Sequence, residues 1–198
     1  MNSNNPSDHD FSPEESVDLI SKMLSRAKLN VEQGSFHMIL WGWLISAISL
    51  CHFLLLKFTD MQNPYIIWWL TAIGGVVSMV YGYRKGSRAS VRTYAGHVHM
   101  WVWLGFLISG IVLFIFLLDR PWLIGGYILI LAGYATFLSG IIIKFSPMIA
   151  GGILFWLFAL AAHFLDTENA LLINAVAVLT GYLVPGYLLK RKVKNGNV

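Results

Sequence analysis

The chain has 198 residues, of which 57% are hydrophobic and only 12% are charged, and its formal net charge is +4. A soluble domain carries about 25% charged residues, so this composition is typical of a membrane protein, and the membrane explains the basic residues that flank the apolar segments. The single cysteine, Cys51, excludes an internal disulfide framework and any multi-cysteine zinc or iron–sulfur site.

The N-terminal part divides into two predicted segments. Residues 1–11 are polar and lack apolar periodicity, which predicts a disordered tail. Residues 12–33 are predicted to form an amphipathic helix that begins with Ser12 as N-cap, Pro13 at N1 and Glu15 at N3. We expect this helix on the cytoplasmic side, where it either packs on the bundle, lies in the membrane interface, or forms a docking surface for a soluble partner.

Six apolar segments follow, each long enough to cross a hydrocarbon core of about 30 Å. They are predicted at about 36–57, 63–83, 97–118, 121–143, 147–165 and 170–189, within a transmembrane domain of residues 34–192, and a basic tail follows at 193–198. The predicted fold class is all-α: a polytopic membrane protein with six transmembrane helices arranged as three helical hairpins.

The distribution of charge predicts the orientation. All of the 14 basic residues except Lys57 and Arg120 fall in the tail, the N-terminal helix or the connections of one side. The positive-inside rule therefore predicts that both termini are cytoplasmic. Basic residues near this membrane surface are also expected to attract anionic lipid headgroups; they are Arg84, Lys85, Arg88, Arg92, Lys190, Arg191 and Lys192.

Small residues recur four positions apart in the even-numbered spans, and such residues let helix backbones approach closely in a membrane. They are Gly74, Ser78 and Gly82 in the second span, Ala132, Thr136 and Gly140 in the fourth, and Ala177 and Gly181 in the sixth. Pro185 lacks the N–H that would bond to the Gly181 carbonyl, which predicts a bend near the end of the last span.

The chain lacks the residues that most membrane enzymes need. None of the ten acidic residues and no Lys or Arg lies inside a span, whereas pumps and ion-coupled transporters bury ionisable groups on their pathways. Motifs for a zinc protease, a serine hydrolase or a P-loop are also missing. We therefore expect no catalytic residues, no metal site and no enzymatic activity.

Five histidines at the ends of spans are the polar groups best suited to a cofactor: His37, His52, His97, His99 and His163. His37 and His52 are 15 residues apart, about 22 Å along one helix and about 60° around it. They could present one axial haem ligand near each surface, with His97 or His99 opposite His37 and His163 opposite His52. The alternative is that all five are interfacial residues, and we expect no cofactor.

A second candidate site is an outward-facing apolar pocket with a few polar groups. Its lining would be Trp156, Asn174, Thr71, Tyr127 and Tyr134. The alternative is that Trp156 fills the bundle core or faces lipid, and that Asn174 bonds to a neighbouring helix.

A further pattern joins the N-terminal helix to the first span: Glu15-Ser16, Leu19-Ile20-Ser21, Met23, Ala27-Lys28 and then Trp41-Gly42. This part of the chain resembles a group of uncharacterised small bacterial multi-span inner-membrane proteins that have an amphipathic N-terminal helix. The resemblance implies a bacterial inner (plasma) membrane and implies no activity.

Together these patterns predict a non-enzymatic membrane binding or regulatory component, whose helix at residues 12–33 docks a cytoplasmic protein. One alternative is a small facilitator or carrier for an uncharged solute, and a second is a b-type haem membrane protein. The expected partners are the lipid bilayer and a cytoplasmic protein, and nucleic acid is not expected.

Overall fold

A computed structural model describes residues 12–86 and 94–195 of the chain, and within these ranges the regular secondary structure is entirely helical. The predicted disordered tail at 1–11 lies outside the described residues, as do Arg88 and Arg92.

The described residues form seven α-helices. These are α1 (Pro13–Phe58), α2 (Leu70–Gly86), α3 (Tyr94–Phe116), α4 (Pro121–Ile143), α5 (Ser146–His163), α6 (Thr167–Val178) and α7 (Val184–Lys194). A 3₁₀ segment, Pro64–Trp69, leads into α2, and a π-helical segment, Leu179–Leu183, joins α6 to α7. We call the continuous unit of α6, the π segment and α7 the last span.

Six stretches of these helices are long and apolar enough to cross a membrane. They are Gly34–Phe58, Pro64–Arg84, Gly96–Phe116, Pro121–Ile143, Ser146–His163 and Thr167–Lys192. The predicted all-α fold with six spans is confirmed, and the predicted bounds differ from the observed ones by at most three residues. The chain is therefore a multi-pass membrane protein.

The first helix is longer than the sequence patterns indicate. The predicted N-terminal helix and the predicted first span form one unbroken helix, α1, of 46 residues, which is about 69 Å long at 1.5 Å per residue. No proline interrupts the sequence between Pro13 and Phe58, and the isolated glycines Gly34 and Gly42 each cost only about 1 kcal/mol of helix propensity. Nothing in the local sequence therefore ends the helix at residue 33.

The contacts between spans extend beyond the three predicted hairpins. The most extensive helix pairs are α4 with α5 and α1 with the last span, and α5 also packs on the last span. These four spans form the core, which contains Met148, Phe155, Ala177 and Leu189 as fully buried side chains. In contrast, α2 packs mainly on α1, and α3 packs mainly on α4, so large apolar side chains of both helices remain available to lipid.

The contact between α4 and α5 depends on glycines that face each other. A Cβ atom on Gly152 would lie 2.7 Å from the backbone N of Phe137 and 2.8 Å from the carbonyl oxygen of Gly133. A Cβ atom on Gly140 would lie 2.7 Å from the backbone N of Ile149. The two backbones are therefore too close to admit side chains at these positions.

The turn between α4 and α5 is short and contains one residue in the left-handed region. Lys144 has φ 55° and ψ 50°, and the Gly140 carbonyl accepts hydrogen bonds from the backbone N–H groups of Lys144 and, at 2.8 Å, Phe145. This is the usual way to end a helix on a left-handed residue, but glycine normally takes that position.

The last span is irregular where Pro185 predicts a bend. Its π-helical segment, Leu179–Leu183, ends two residues before Pro185, and the Thr180 hydroxyl donates to the Val176 carbonyl at 2.8 Å. The Gly181 carbonyl, which has no N–H partner at Pro185, points at α5, where a Cβ atom on Gly151 would lie 2.5 Å from its oxygen. Only glycine at position 151 permits this approach.

We predict that Gly152→Ala destabilises the protein by about 1–3 kcal/mol, because the added methyl group meets backbone atoms that cannot move aside. Gly126→Ala is the matched control, since an added Cβ there has no atom within 4 Å, and it should be neutral or slightly stabilising. The free energy of unfolding in detergent checks both, and equal effects of the two substitutions would contradict the prediction.

We predict that Lys144→Gly raises the free energy of unfolding by about 0.5–1 kcal/mol, because glycine adopts the left-handed conformation without the steric cost that lysine bears. Lys144→Ala keeps the Cβ atom and removes the same charge, so it serves as the control and should give no gain. The thermal unfolding midpoint of each variant, compared with that of the unsubstituted protein, checks the prediction.

Candidate functional site

One face of α1 holds mostly small and polar residues at steps of three and four, and all of its residues are buried. We call this face the α1 seam; it consists of Ser35, Met38, Gly42, Ser46, Ser49 and His52. Residues at such steps lie above one another on a helix. The seam is therefore a continuous strip, and most of it faces the last span.

The seam and the last span approach each other closely. A Cβ atom on Gly42 would lie 2.5 Å from the Leu183 side chain and 3.4 Å from the Leu183 backbone N. Nearer the beginning of the first span, Met38 meets the last span: a Cβ atom on Gly186 would lie 3.1 Å from the Met38 Cβ. The numbering rises along α1 as it falls along the last span, so the two are antiparallel. The beginning of the first span and the end of the last span therefore lie at the same end of the bundle.

Two polar contacts join the seam to α6. The Asn174 side-chain N–H donates to Ser49 Oγ at 2.8 Å, and Ser46 Oγ donates to the Ala175 carbonyl at 3.2 Å. Both contacts are buried. Because apolar burial gives no net attraction between helices in lipid, such hydrogen bonds and close backbone packing hold membrane helices together.

The far end of the seam is tied to the second span by His52. Its Nδ1 atom accepts a hydrogen bond from Trp68 Nε1 at 3.0 Å, and the Tyr65 ring packs edge-on at 4.9 Å. With Nδ1 accepting, the proton of the neutral ring lies on Nε2, which is buried without a hydrogen-bond partner. In this arrangement neither nitrogen offers a free lone pair to haem iron, so His52 links two helices.

His37 makes the corresponding link at the other end of the first span. Its Nδ1 atom lies 3.1 Å from Ser78 Oγ, which also accepts a hydrogen bond from Trp41 Nε1 at 3.0 Å. Next to them, the Phe36 ring stacks on the Tyr81 ring with centroids 3.7 Å apart. His37 therefore fixes α2 to α1.

The other three histidines differ from one another in their surroundings. His97 is exposed, and its Nε2 accepts from Trp101 Nε1 of the same helix at 2.9 Å. The His99 ring packs near the Trp103 ring at 6.2 Å, while its Nδ1 atom is buried without a partner. His163 is exposed beside Phe164. Within residues 12–86 and 94–195, no group of three or more His, Cys, Asp or Glu side chains is placed to hold a metal ion.

The residues of the predicted pocket bond to different parts of the bundle. Trp156 Nε1 donates to the Ile130 carbonyl of α4 at 3.1 Å, Asn174 bonds to α1, and the Thr71 hydroxyl donates to the Trp68 carbonyl of its own span at 2.6 Å. Tyr127 and Tyr134 are 45% and 58% exposed on α4. Trp156 and Asn174 thus each donate to a neighbouring helix, as the alternative for Asn174 predicts.

The predicted small residues lie mostly at helix contacts. Gly74 faces Leu44 of α1, Gly140 faces α5, Gly181 faces the Phe155 ring, and Ser78 bonds to α1, while Ala132, Thr136 and Ala177 are buried. Gly82 differs, because a Cβ atom there would have no neighbour within 4 Å.

The residues predicted to meet lipid headgroups are exposed where their side chains are described. Arg84 ends the second span, and Lys190, Arg191 and Lys192 lie near the end of α7. Lys192 Nζ also lies 5.8 Å from the centre of the Phe145 ring. Lys85 belongs to the last turn of α2. We call this end of the bundle, which also holds Gly34, the basic end.

Residues 13–33 continue α1 beyond the basic end as helix. Val17, on this segment, is 66% exposed.

The sequence patterns did not predict that residues 13–33 and the first span form one helix. They also did not single out the seam serines, Ser46 and Ser49. The signal for the seam was present, because small residues follow steps of three and four in the first span as well as in the even-numbered spans.

No protein-family model, curated protein or solved structure matches the chain. The resemblance to small bacterial inner-membrane proteins therefore stays a prediction, and the candidate site depends on the geometry of this chain.

We predict that Asn174→Ala lowers the free energy of unfolding by about 1–2 kcal/mol, because it removes an interhelical hydrogen bond and leaves Ser49 unpaired in an apolar interior. A double-mutant cycle with Ser49→Ala isolates the pair. We expect a coupling energy of about 0.6–1.7 kcal/mol, and strictly additive single effects would show that the two side chains do not interact.

Proposed function

We propose that the protein is a non-enzymatic component of a bacterial inner membrane that presents a docking helix to a cytoplasmic protein. The docking helix is residues 12–33, and the transmembrane bundle is its anchor. The observation that carries the proposal is the continuity of α1, which runs without a break from Pro13 to Phe58.

Continuity separates docking from the alternative that residues 12–33 lie in the membrane interface. An interfacial helix lies in the plane of the membrane, so a helix that also spans the membrane would have to turn sharply between the two parts. Sharp kinks occur at a proline, a Gly/Ser pair or a π-bulge. The pair Gly34-Ser35 stands at this junction, yet α1 passes through it as unbroken α-helix. The unbroken helix favours an extension that leads away from the bilayer.

The extension is long enough to pass the lipid headgroups. Residues 13–33 cover about 30 Å along a helix, whereas each headgroup region is about 5–8 Å thick. The distal turns are then in water, where a soluble protein can reach them. Their charged and apolar residues at helical spacing suit a partner that packs on one face of a helix.

The seam supports the proposal because it fixes the orientation of this helix. Gly42 packs against Leu183, and Ser49 bonds to Asn174, so rotation of α1 about its axis would break both contacts. The distribution of basic residues supports a cytoplasmic location for the basic end. A helix held in this way presents a constant face to its partner.

A photo-crosslinking amino acid at position 17 tests the proposal in living cells. We expect a covalent adduct with a cytoplasmic protein, because Val17 is exposed on the extension. The same amino acid at position 61 is the control, since Met61 is exposed in the loop at the other end of the bundle. The proposal is wrong if position 17 gives only lipid adducts, or the same products as position 61.

The orientation is checked separately in a Cys51→Ser background. A membrane-impermeant maleimide added to intact cells should label Met61→Cys and should not label Val17→Cys. Labelling of Val17→Cys in intact cells would place the extension outside and would exclude a cytoplasmic partner.

A further inference from the structure

Two neighbouring helices each hold a buried polar atom that makes no hydrogen bond to any of the described residues. The two atoms are His99 Nδ1 of α3 and Ser139 Oγ of α4. Ser139 is 0% exposed. The Thr180 hydroxyl bonds to a carbonyl of its own helix, whereas the Ser139 hydroxyl makes no such bond. A buried polar group without a partner is destabilising, and most such groups in proteins bond to protein or to ordered water.

His99 lies on the side of α3 that faces the bundle. A strip of half-buried residues at steps of three and four runs along this helix, and it contains His99, Trp103, Phe106 and Gly110. Trp103 and Phe106 pack against buried core residues, and the His99 ring lies beside the Trp103 ring. His99 therefore faces protein and not lipid.

One contact shows how α3 and α4 are aligned. The two helices pack on each other and are antiparallel, because only residues 117–120 separate them. A Cβ atom on Gly110 would lie 3.6 Å from Ile128 Cδ1. On α3, 11 residues towards the basic end lead from Gly110 to His99. On α4, 11 residues in the same direction lead from Ile128 to Ser139. Eleven residues make about three turns, or about 16 Å, and return to the same face of a helix. His99 and Ser139 are therefore opposite each other.

A second pair of residues agrees with this alignment. Seven residues from the contact between Gly110 and Ile128, the alignment places Trp103 opposite Ala135. Trp103 is half-buried, and Ala135 is 1% exposed, as expected where two helices pack. The interface between α3 and α4 thus continues towards His99 and Ser139.

The spacing of the two polar atoms suits a bridging molecule. His99 and Ser139 do not bond to each other, since both atoms lack a partner among the described residues. A water molecule makes hydrogen bonds of about 2.7–3.0 Å and so bridges polar atoms about 4–5 Å apart. His99 is three residues from Gly96, where the third span begins, so it lies only about 5 Å inside the span. Water from the membrane surface can reach this depth.

We propose that an ordered water molecule binds between His99 and Ser139 and links α3 to α4 at the basic end. The water donates to His99 Nδ1 and accepts from the Ser139 hydroxyl. The neutral His99 ring then carries its proton on Nε2. Buried waters typically make two to four hydrogen bonds, and this one gives a partner to both buried atoms.

Solid-state NMR of the full-length protein in lipid bilayers, with isotope-labelled histidine, tests the proposal. Magnetisation from water protons should reach His99 Nδ1, and the chemical shift of this atom should be that of an unprotonated ring nitrogen. His97 is an internal reference with the opposite tautomer. Its Nε2 atom accepts from Trp101 Nε1, so the proton of its neutral ring lies on Nδ1.

The variant Ser139→Ala removes one of the two bonds to the water. It should weaken the transfer from water to His99 Nδ1 about five-fold, the factor that corresponds to one neutral hydrogen bond. Ser109→Ala is the matched control, because Ser109 is exposed on α3 and lies outside the half-buried strip. It should leave the transfer unchanged.

A high-resolution crystal structure of the full-length protein gives a second readout, and it should show one isolated density within hydrogen-bond distance of both atoms. Three results would each overturn the proposal: no transfer from water to His99 Nδ1, equal transfer in Ser139→Ala and the unsubstituted protein, or a direct hydrogen bond between His99 and Ser139. The first and third results concern the unsubstituted protein, so they decide the question even if Ser139→Ala does not fold.

Discussion

The close antiparallel contact between the α1 seam and the last span is the constraint on which the rest of the structure depends. It joins the first span to the sixth and so brings the two ends of the transmembrane domain together. Its strength comes from backbone approach at Gly42 and from the hydrogen bond between Asn174 and Ser49, since apolar area alone gives no preference for protein over lipid. The same contact sets the direction and rotation of α1, including its extension.

The irregular part of the last span makes the second connection of the core. Pro185 leaves the Gly181 carbonyl without its usual donor, and the π segment directs this carbonyl at Gly151 of α5. A Cα–H group can approach a carbonyl oxygen in this way, and such contacts recur where membrane helices pack closely. Through α5 the last span is then joined to α4. Four spans thus form one packed unit, and α2 and α3 attach to its outside.

Hydropathy predicted the spans well because it depends on the strongest signal in a membrane sequence, the absence of charge over a full membrane thickness. Helix partners were harder to predict, because spans that are apolar on every face have no clear stripe to show which side faces protein. The histidines illustrate the same difficulty. His52 and His163 both stand at span ends, yet His52 is buried against Trp68, while His163 is exposed. Tertiary contacts decide between such environments, and residue type does not.

Neighbouring residues of α1 contact different helices, and helical geometry explains how one helix makes these contacts. Successive residues turn by about 100°, so Gly42, Trp43 and Leu44 point in different directions. Gly42 faces the last span, Trp43 donates to the Tyr187 hydroxyl of α7, and Leu44 packs towards α2. With protein contacts on two sides and lipid on the third, the first span cannot tilt or rotate alone. A helix restrained in this way transmits its orientation to residues 13–33, because α1 continues through position 33 without a break.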